Sequence, residues 1–389
     1  PLLGLKPLLV LGGGLDMALG VLLLTLAGRE RSAEGPEEPA APEPEGMEPV
    51  FENREPVPGG PGGRKVRFPG RFPGFAAALG ASAMVLVALL GVRMDRALLS
   101  SGVYRTGRLP GAGTEILFYR DGRTATVTAD RTPPGVLTLS TNGKPDATLT
   151  EAWLEPPPEA PLPLSLDEPT QILLALGTLA HNPRAEQALV VGQGSGLSSH
   201  MLLGSPHLES LTTVEIEPQM LEGSRVVLPA TRRVFEDLRS RFVIDDAKSF
   251  LAQGGPPLDL ILSEPSNPWV SGVASLFSDE FYARVQKRLA PGGVFGQWLH
   301  LYEINDALIL SVLGAIHRNF PSYQVYLVHS ADMLIVAGRD PVMPAPDWEV
   351  FRYPDIASDL ARTHAFHPVL LEASRFLNRD AMAPLLDDW

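Results

Sequence analysis

From residue 188 to residue 338 the sequence alternates short apolar segments with segments of helical pattern, and this alternation restricts the fold more than any other feature. Helices are predicted at about 278–289, ending at APGG, and at about 305–319. Five segments have the length and apolar content of buried strands: ALVV (188–191), LTTVE (211–215), RFVI (241–244), LDLILS (258–263) and VFGQW (294–298). Strands and helices in this order predict a parallel, doubly wound α/β sheet.

Two further strand-like segments extend the pattern, QVYLV (324–328) and MLIVAG (333–338). Because only a short turn separates them, we expect them to pair antiparallel. We assign the α/β domain to residues 166–340 and leave the irregular tail, residues 341–389, without a predicted role.

A small N-terminal β-domain is predicted over residues 100–165. Its short segments alternate apolar and polar residues, as half-buried strands do. The dipeptides Asp121-Gly122 and Asn142-Gly143 separate these segments, and both are typical of tight hairpin turns. We therefore expect antiparallel hairpins ahead of the α/β domain.

Two stretches near the start of the chain are unusually apolar, within residues 1–27 and residues 75–92. Each approaches the roughly 20 residues that a membrane span needs, and each is rich in glycine and alanine. We predict two transmembrane helices; buried core helices, or a signal peptide for the first stretch, are the alternatives. Residues 28–74 between them are rich in Pro, Glu and Gly, which predicts a disordered linker.

The composition argues against several classes of function. The chain has 45 acidic and 32 basic residues, a formal charge of -13, which disfavours nucleic-acid binding. It has no cysteine, so disulfides, thiolate metal sites and cysteine nucleophiles are excluded. Among the eight histidines only His364 and His367 are closely spaced, so a metal hydrolase is a weak alternative and we expect no metal site.

Polar residues follow the predicted strands at the edge where open parallel sheets bind their ligands. A glycine loop, Gly192-Gln193-Gly194-Ser195-Gly196, comes after the first strand and Glu215 after the second. Asp245-Asp246-Ala247 come after the third strand, and Glu264-Pro265-Ser266-Asn267-Pro268-Trp269 after the fourth.

Together these residues predict an adenosyl pocket. The glycines permit a tight turn and let a ligand approach the backbone. Glu215 can accept both ribose hydroxyls, and Asp246 can accept a hydrogen bond from an adenine amino group. Taken singly, Glu215 and Asp246 could instead cap the helices that follow them. A nucleoside-triphosphate loop is disfavoured because no Gly-Lys-Ser or Gly-Lys-Thr follows the glycines.

The motifs in residues 114–338 resemble those of the spermidine synthases, the polyamine aminopropyltransferases. They are TNGKPDA (141–147), the glycine loop, VEIEP (214–218), DDAKSFL (245–251), LFSDEFY (276–282) and LAPGGVFGQW (289–298). EPSNPW after two apolar stretches resembles a bacterial subgroup in which the synthase-like domain is fused to a membrane part. The resemblance implies a Rossmann-like methyltransferase fold preceded by a small β-domain.

The resemblance also implies roles for individual residues. Gly192, Gly194, Ser195, Gly196, Glu215, Asp246 and Ala247 would bind the nucleoside. In true synthases the loop after the fourth strand reads close to Asp-Ser-Ser-Asp-Pro, with one aspartate helping to deprotonate the amine and the other holding it. Glu264 and Asn267 occupy these positions here, and both are predicted catalytic residues.

The amine half of the pocket departs from the family. Asn267 lacks the charge that would attract a diamine, and Thr170 and Gln171 lie where the family has a tyrosine and a glutamate. We predict Gln171, Trp269 and Tyr302 as substrate-binding residues, with Trp298 and His300 lining or covering the pocket; core packing explains the tryptophans about as well.

Three functions remain open. The first is transfer of an aminopropyl group from decarboxylated S-adenosylmethionine to an amine, with Glu264 as the base. The second is methyl transfer from S-adenosylmethionine, although no arginine or lysine within residues 192–201 is present to bind the donor carboxylate. The third is a non-catalytic nucleoside sensor that regulates a membrane transporter. In the first two the donor is a co-substrate, and no cofactor is held permanently.

The expected partners are a small-molecule amine, a membrane and a second copy of the chain, but no nucleic acid. We predict a multi-pass membrane protein with its catalytic domain in the cytoplasm, where the nucleoside donor is made. The distribution of basic residues around the two stretches leans slightly the other way, towards a cytoplasmic linker.

Overall fold

The computed structural model describes residues 10–20, 22–23, 80, 82–87, 90–91, 95–107, 109, 111–133, 135–153, 159, 162–165, 167–228, 230–270, 272–329, 331–363 and 368–387. The chain divides into two compact units, on either side of Asp95.

In the first unit, residues 10–20 and 82–87 are helical. The predicted linker of residues 28–74 and much of both predicted membrane spans lie outside the described residues. None of the helices in the part of the chain that the structure describes has both the length and the apolar character that crossing a membrane requires.

The second unit begins with two short helices, α1 (Arg96–Ser100) and α2 (Val103–Thr106), followed by a four-stranded antiparallel sheet. Its strands pair in sequence order: β1 (Glu115–Asp121), β2 (Thr126–Thr132), β3 (Val136–Thr141) and β4 (Lys144–Leu149). Asn142 and Gly143 both have positive φ, 51° and 76°, so this dipeptide forms the tight β3–β4 turn that the sequence predicts.

An eight-stranded sheet forms the centre of the second unit, in the order β12-β10-β11-β9-β8-β5-β6-β7. Strands β5 to β9 run parallel, and β10, β11 and β12 pair antiparallel. The strands are β5 (Gln187–Val191), β6 (Ser210–Glu215), β7 (Ser240–Ile244), β8 (Leu258–Ser263), β9 (Leu289–His300), β10 (Ser322–His329), β11 (Asp332–Gly338) and β12 (Arg375–Asn378). After β5 the chain builds outward through β6 and β7, then returns to the other side of β5 with β8. This reversal opens a crevice at the carboxyl ends of β5 and β8.

Helices cover the sheet, and the core is split between its two faces. Along β5, Ala188 and Val190 belong to one apolar cluster and Leu189 and Val191 to the other, as the alternation of a strand requires. The helices are α3 (Asp167–His181), α4 (Leu197–Leu202), α5 (Pro218–Ser224), α6 (Arg233–Glu236), α7 (Ala247–Ala252), α8 (Asp279–Arg288), α9 (Asp306–Asn319), α10 (Pro354–Leu360), α11 (Pro368–Ala373) and α12 (Arg379–Leu386).

Helix α3 is buried over almost its whole length and begins at a capping box. Glu168 accepts a hydrogen bond from the backbone N–H of Ser165 at 2.6 Å, and its own N–H donates to the Ser165 hydroxyl at 3.4 Å. The Glu168 carboxyl also accepts hydrogen bonds from the backbone N–H and hydroxyl of Thr150. The start of α3 is thereby fixed to the residue that follows β4.

Two expectations from the sequence need correction. The helix predicted over about 278–289 is α8 (Asp279–Arg288), but the strand after it starts at Leu289 and not at Val294, so APGG lies inside β9. The tail beyond residue 341 is also more regular than expected. It contributes β12, which pairs antiparallel with β10, and Asp359 of α10 contacts Arg233 of α6 at 2.5 Å.

Candidate active site

A cavity of about 680 Å³ opens at the carboxyl ends of β5, β6, β7 and β8, with the β3–β4 hairpin on its other side. Its walls include residues from the glycine loop, from the ends of these strands, from the hairpin and from α2. The lining residues are Tyr104, Thr124, Ala125, Thr141, Asn142, Lys144, Asp146, Val191, Gly192, Gln193, Gly194, Val214, Glu215, Ile216, Glu217, Met220, Asp245, Asp246, Ala247, Glu264, Pro265, Ser266, Trp269, Val270, Gly272, Val273, Leu276 and Trp298.

The glycine loop bends sharply where β5 ends. Gly192, Gly194 and Gly196 all have positive φ, and a Cβ on Gly192 would lie only 2.9 Å from the carbonyl oxygen of Glu264. Gly192 and Gly194 line the cavity, whereas Ser195 is buried behind the loop and donates a hydrogen bond to the Gln171 side chain. The loop therefore presents bare backbone to the cavity, as close approach of a ligand requires.

Glu215 is held in place at the end of β6 by the neighbouring backbone. Its carboxyl accepts hydrogen bonds from the N–H of Gln193 at 2.9 Å and the N–H of Glu217 at 2.8 Å. Burial raises its pKa, and the backbone hydrogen bonds counteract part of that increase. Each carboxylate oxygen has a second lone pair, so the group can still accept hydroxyl donors from the cavity.

Asp246 and Ala247 line the cavity at the end of β7. One carboxylate oxygen of Asp246 accepts from the N–H of Ser249 at 2.9 Å and caps α7, so the capping alternative is observed. The N–H of Asp246 donates to Asp245 at 2.8 Å, which fixes the turn. Capping engages Oδ1, and the carboxylate keeps lone pairs that an adenine amino group can meet.

Glu264 follows β8 and lies beside the glycine loop, because its N–H donates to the carbonyl of Val191 at 3.1 Å. The cavity leaves part of the residue accessible, but protein surrounds its carboxyl group. Burial raises the pKa of Glu264, the hydrogen bond from the Ser198 hydroxyl, 2.7 Å away, opposes this rise, and the negative charge of Asp167 adds to it. The resulting pKa is about 7. A carboxyl with this pKa exchanges protons near neutral pH.

Asn267 is fully buried in the loop after β8 and does not line the cavity. Neither its amide nitrogen nor its amide oxygen has a hydrogen-bond partner among the described residues. A buried amide without partners is costly, so we expect this loop to adjust when a ligand enters.

The three predicted substrate-binding residues have different positions. Trp269 lines the cavity and is 44% exposed. Gln171 does not line it: its amide nitrogen donates to the carbonyls of Thr148 and Asp167, and its amide oxygen accepts from Ser195. Tyr302 also lies outside the lining, with its ring centroid 4.8 Å from that of His300.

The structure adds a polar bridge that the sequence did not reveal. Lys144 and Asp146 of the β3–β4 hairpin both line the cavity and are paired at 3.1 Å. The same Asp146 oxygen accepts a hydrogen bond from Ser266, in the loop after β8, at 2.9 Å. The TNGKPDA motif marked this segment, but only the fold brings it to residues 120 positions away.

Trp298 lines the cavity at the end of β9, and its indole N–H is buried with no acceptor in the described part of the chain. Its ring packs edge-on against His300, with the centroids 5.6 Å apart. Burial, together with the positive charges of Lys144 and Arg105, lowers the pKa of His300 to about 4, so the imidazole is neutral at pH 7.

The groups that line the cavity fit an adenosyl ligand better than a metal ion. Backbone at the glycine loop and carboxylates at the ends of β6 and β7 match the groups of a nucleoside. Among the described residues no group of three or more histidines and acids is arranged to hold a metal ion, and His364 and His367 lie outside those residues.

The chain is similar to known proteins over part of its length. Residues 170–347 match the family described as the spermine/spermidine synthase domain. The polyamine aminopropyltransferase of Synechococcus sp. is 30% identical over 171 residues, 42% of this chain and 55% of the relative. The spermidine synthase of Dictyostelium discoideum is 32% identical over 128 residues, 32% of this chain and 45% of the relative. The chain spans about half the length of these curated relatives.

Solved structures show the same fold. The spermidine synthase from Thermotoga maritima superposes with a TM-score of 0.54, covering 69% of this chain and 87% of that one at 17% identity. A spermidine synthase in complex with the transition-state analogue AdoDATO gives a TM-score of 0.55, covering 69% of this chain and 88% of that one at 17% identity. The predicted resemblance to the family and its α/β fold are confirmed; membership of the membrane-fused subgroup stays a prediction.

Proposed function

We propose that this protein is an aminopropyltransferase-like enzyme that takes the aminopropyl group from decarboxylated S-adenosylmethionine and transfers it to an amine. One observation carries the proposal: Glu264, a carboxyl whose pKa is near 7, lines the same cavity as Glu215, Asp246 and the glycine loop. A proton acceptor therefore lines the same cavity as the residues that we propose to bind the nucleoside.

In this proposal the ends of β5, β6 and β7 bind the donor nucleoside. Glu215 accepts the ribose hydroxyls while its backbone hydrogen bonds hold it still. Asp246 accepts the adenine amino group, and Ala247 lies beside it on the cavity wall. Gly192 and Gly194 line the cavity without side chains, and the sulfonium end of the donor lies against them.

The charges on the cavity wall favour the decarboxylated donor. Lys144 is the one Lys or Arg among the described lining residues, and it is paired with Asp146. A methionyl carboxylate would therefore find no unpaired cation there, and it would lie in a cavity that also contains Glu264. The donor without a carboxylate avoids this repulsion.

The chemical step needs one proton acceptor. The ammonium group of the amine substrate gives a proton to the Glu264 carboxylate. The free amine then attacks the carbon bonded to the sulfonium. The carbon–sulfur bond breaks and its electron pair passes to sulfur, giving methylthioadenosine and a secondary ammonium. Glu264 then releases the proton to solvent and returns to its ionised form.

The acceptor is proposed only as a class, a primary amine. Asn267 carries no charge, and its burial outside the cavity lining separates it from any acceptor in this state of the protein. A panel of monoamines, diamines and polyamines is therefore the appropriate screen.

The test is a product assay on the purified full chain. Incubation with decarboxylated S-adenosylmethionine and the amine panel should yield methylthioadenosine and a matching aminopropyl adduct, measured by mass spectrometry. Glu264→Gln should abolish both products. S-adenosylhomocysteine formed from S-adenosylmethionine, with no methylthioadenosine from the decarboxylated donor, would show methyl transfer instead.

Membrane attachment and pairing into a homodimer are also proposals. The two apolar stretches of residues 1–27 and 75–92 motivate the first, and the family resemblance motivates the second. Retention of the expressed full chain in the membrane pellet after alkaline carbonate washing would support attachment. Release into the supernatant would contradict it.

A further inference from the structure

Ser198 connects the proposed base to the helix behind it. It lies on α4, is only 2% exposed and does not line the cavity. Its hydroxyl oxygen is 2.7 Å from the Glu264 carboxyl and 3.0 Å from the backbone carbonyl of Gln171 in α3. A hydroxyl has one proton, so it can donate to only one of these acceptors at a time.

The two acceptors match the two protonation states of Glu264. When Glu264 is ionised, the Ser198 hydroxyl donates to the carboxylate. When Glu264 is protonated, the carboxylic acid can donate to the Ser198 oxygen, and the serine proton turns to the Gln171 carbonyl. The contact thus survives proton transfer by rotation of one hydroxyl, without movement of either helix.

Other groups around Glu264 raise its pKa, whereas the Ser198 hydrogen bond lowers it. Burial and the negative charge of Asp167, at the start of α3, both favour the protonated acid. The Ser266–Asp146–Lys144 bridge is on the neighbouring part of the loop, where Lys144 is already paired. Ser198 is the side chain whose hydrogen bond favours the ionised form.

We propose that Ser198 is a positioning residue that holds Glu264 towards the cavity and keeps its carboxylate available to accept a proton from the acceptor amine. The part about the acceptor rests on the proposed function. The hydrogen-bond switch itself concerns the protonation of Glu264 and can be measured without turnover.

Replacing the hydroxyl should disturb the titration of Glu264. A hydrogen bond to a charged group shifts a titration by about one pH unit, so Ser198→Ala should move the Glu264 midpoint upward by about that amount. The acidic limb of the kcat/KM profile should move upward with it. Ser198→Thr keeps the hydroxyl and should restore the midpoint, whereas Ser198→Cys, a weaker donor, should shift it part of the way.

Ser199 provides a matched control. It is the next residue of α4 and is equally buried, but its hydroxyl lies 3.4 Å from Thr213 and has no contact with Glu264. Ser199→Ala removes the same group from the same helix, and the Glu264 midpoint should stay at the wild-type value.

The experiment is an infrared difference titration of the full chain, following the carbonyl band of the protonated acid. The band of Glu264 is identified by its loss in Glu264→Gln. An upward shift in Ser198→Ala and Ser198→Cys, with none in Ser199→Ala, would support the proposal. Equal midpoints in the wild type and both Ser198 variants would overturn it. A shifted midpoint in a protein that forms no aminopropyl product would refute the proposed function and leave the hydrogen-bond switch standing.

Discussion

Glu264 links the chemistry of this protein to the pH dependence of its folding. Its pKa is about 7 in the folded protein and its ordinary value is 4.5, so the folded state binds the proton more tightly than the unfolded chain. Folding stability from this group is therefore present below pH 4.5 and is lost as the pH rises through 7. At high pH, ionisation of Glu264 lowers the free energy of unfolding by at most about 3 kcal/mol, and by less where cavity water solvates the carboxylate.

Glu264→Gln should therefore stabilise the fold at pH 8 while it removes the proposed base. Because glutamine cannot ionise, the variant should show a higher Tm than the wild type at pH 8 and little difference at pH 5. Thermal unfolding followed by circular dichroism at the two pH values measures this. Glu209→Gln, at an exposed glutamate, is the control and should change neither Tm. Equal Tm values for Glu264→Gln and the wild type at pH 8 would contradict the raised pKa.

Glu215→Ala should weaken nucleoside binding by about 10- to 100-fold, since it removes hydrogen bonds to a charged group. It should also loosen the glycine loop, because Gln193 loses its backbone acceptor. Calorimetric titration with methylthioadenosine measures the affinity. Asp246→Asn should weaken binding less, since it keeps one acceptor oxygen. Unchanged affinity in Glu215→Ala would place the ribose elsewhere.

Residues at the ends of strands can be predicted from the sequence, but contacts between residues far apart in the chain cannot. Glu215, Asp246 and Glu264 each follow a recognisable strand, so their presence at one edge could be predicted. The Lys144–Asp146–Ser266 bridge joins segments far apart in the chain, and no local pattern encodes it. Gln171 is predicted to bind substrate because it lies where the family has a tyrosine and a glutamate, but its side-chain contacts indicate a supporting role behind the loop.

At the scale of elements, the β3–β4 hairpin and the loop after β8 act on the cavity together. Asp146→Asn should weaken the pairing with Lys144 and the contact with Ser266, so we expect a several-fold rise in KM. Steady-state kinetics with the decarboxylated donor tests this. Asp130→Asn, on β2 of the same sheet but away from the cavity lining, serves as the control. An equal change in both variants would show a general loss of stability of the β-domain instead.

The tail should contribute to stability through α10. Asp359 is buried and pairs with Arg233 at 2.5 Å, whereas Asp355, on the same helix, is exposed and lies 3.9 Å from the same guanidinium. Asp359→Ala should cost about 3 kcal/mol, because it leaves Arg233 and His200 without their acceptor, and Asp355→Ala should cost less than about 1 kcal/mol. Urea denaturation of both variants measures the difference. Similar costs would show that the tail is not packed as described.

The central strands of the large sheet could be predicted from the sequence, but the start of β9 and the edge strand β12 could not. β5, β6 and β8 have nearly the predicted bounds and are almost wholly buried, and burial on both faces selects apolar runs. β7, at the edge of the sheet, is only partly buried, yet it too has nearly the predicted bounds. β9 begins earlier than predicted because Leu289 already pairs with Leu258 of β8. APGG is the irregular stretch between that pair and the next one, Leu260 with Val294. β12, RFLN, carries two polar residues at an edge, and only its pairing with β10 makes it a strand.

For the whole molecule, the crevice at the sheet reversal determines where ligands can bind, and the charge of the chain restricts what they are. A formal charge of -13 suits an amine acceptor and a cationic sulfonium donor. The match over residues 170–347 covers the glycine loop and the strand ends that line the cavity, whereas Tyr104, Lys144 and Asp146 come from residues before it. We therefore expect the acceptor preference to depend on the β-domain as well as on the matched domain.

The most direct test of the account is calorimetric titration of the purified chain with decarboxylated S-adenosylmethionine, S-adenosylmethionine and methylthioadenosine. We expect the decarboxylated donor and methylthioadenosine to bind, and S-adenosylmethionine to bind more weakly than the decarboxylated form. Tighter binding of S-adenosylmethionine would contradict the proposed donor. Failure of a folded sample to bind any of the three would contradict the adenosyl pocket itself.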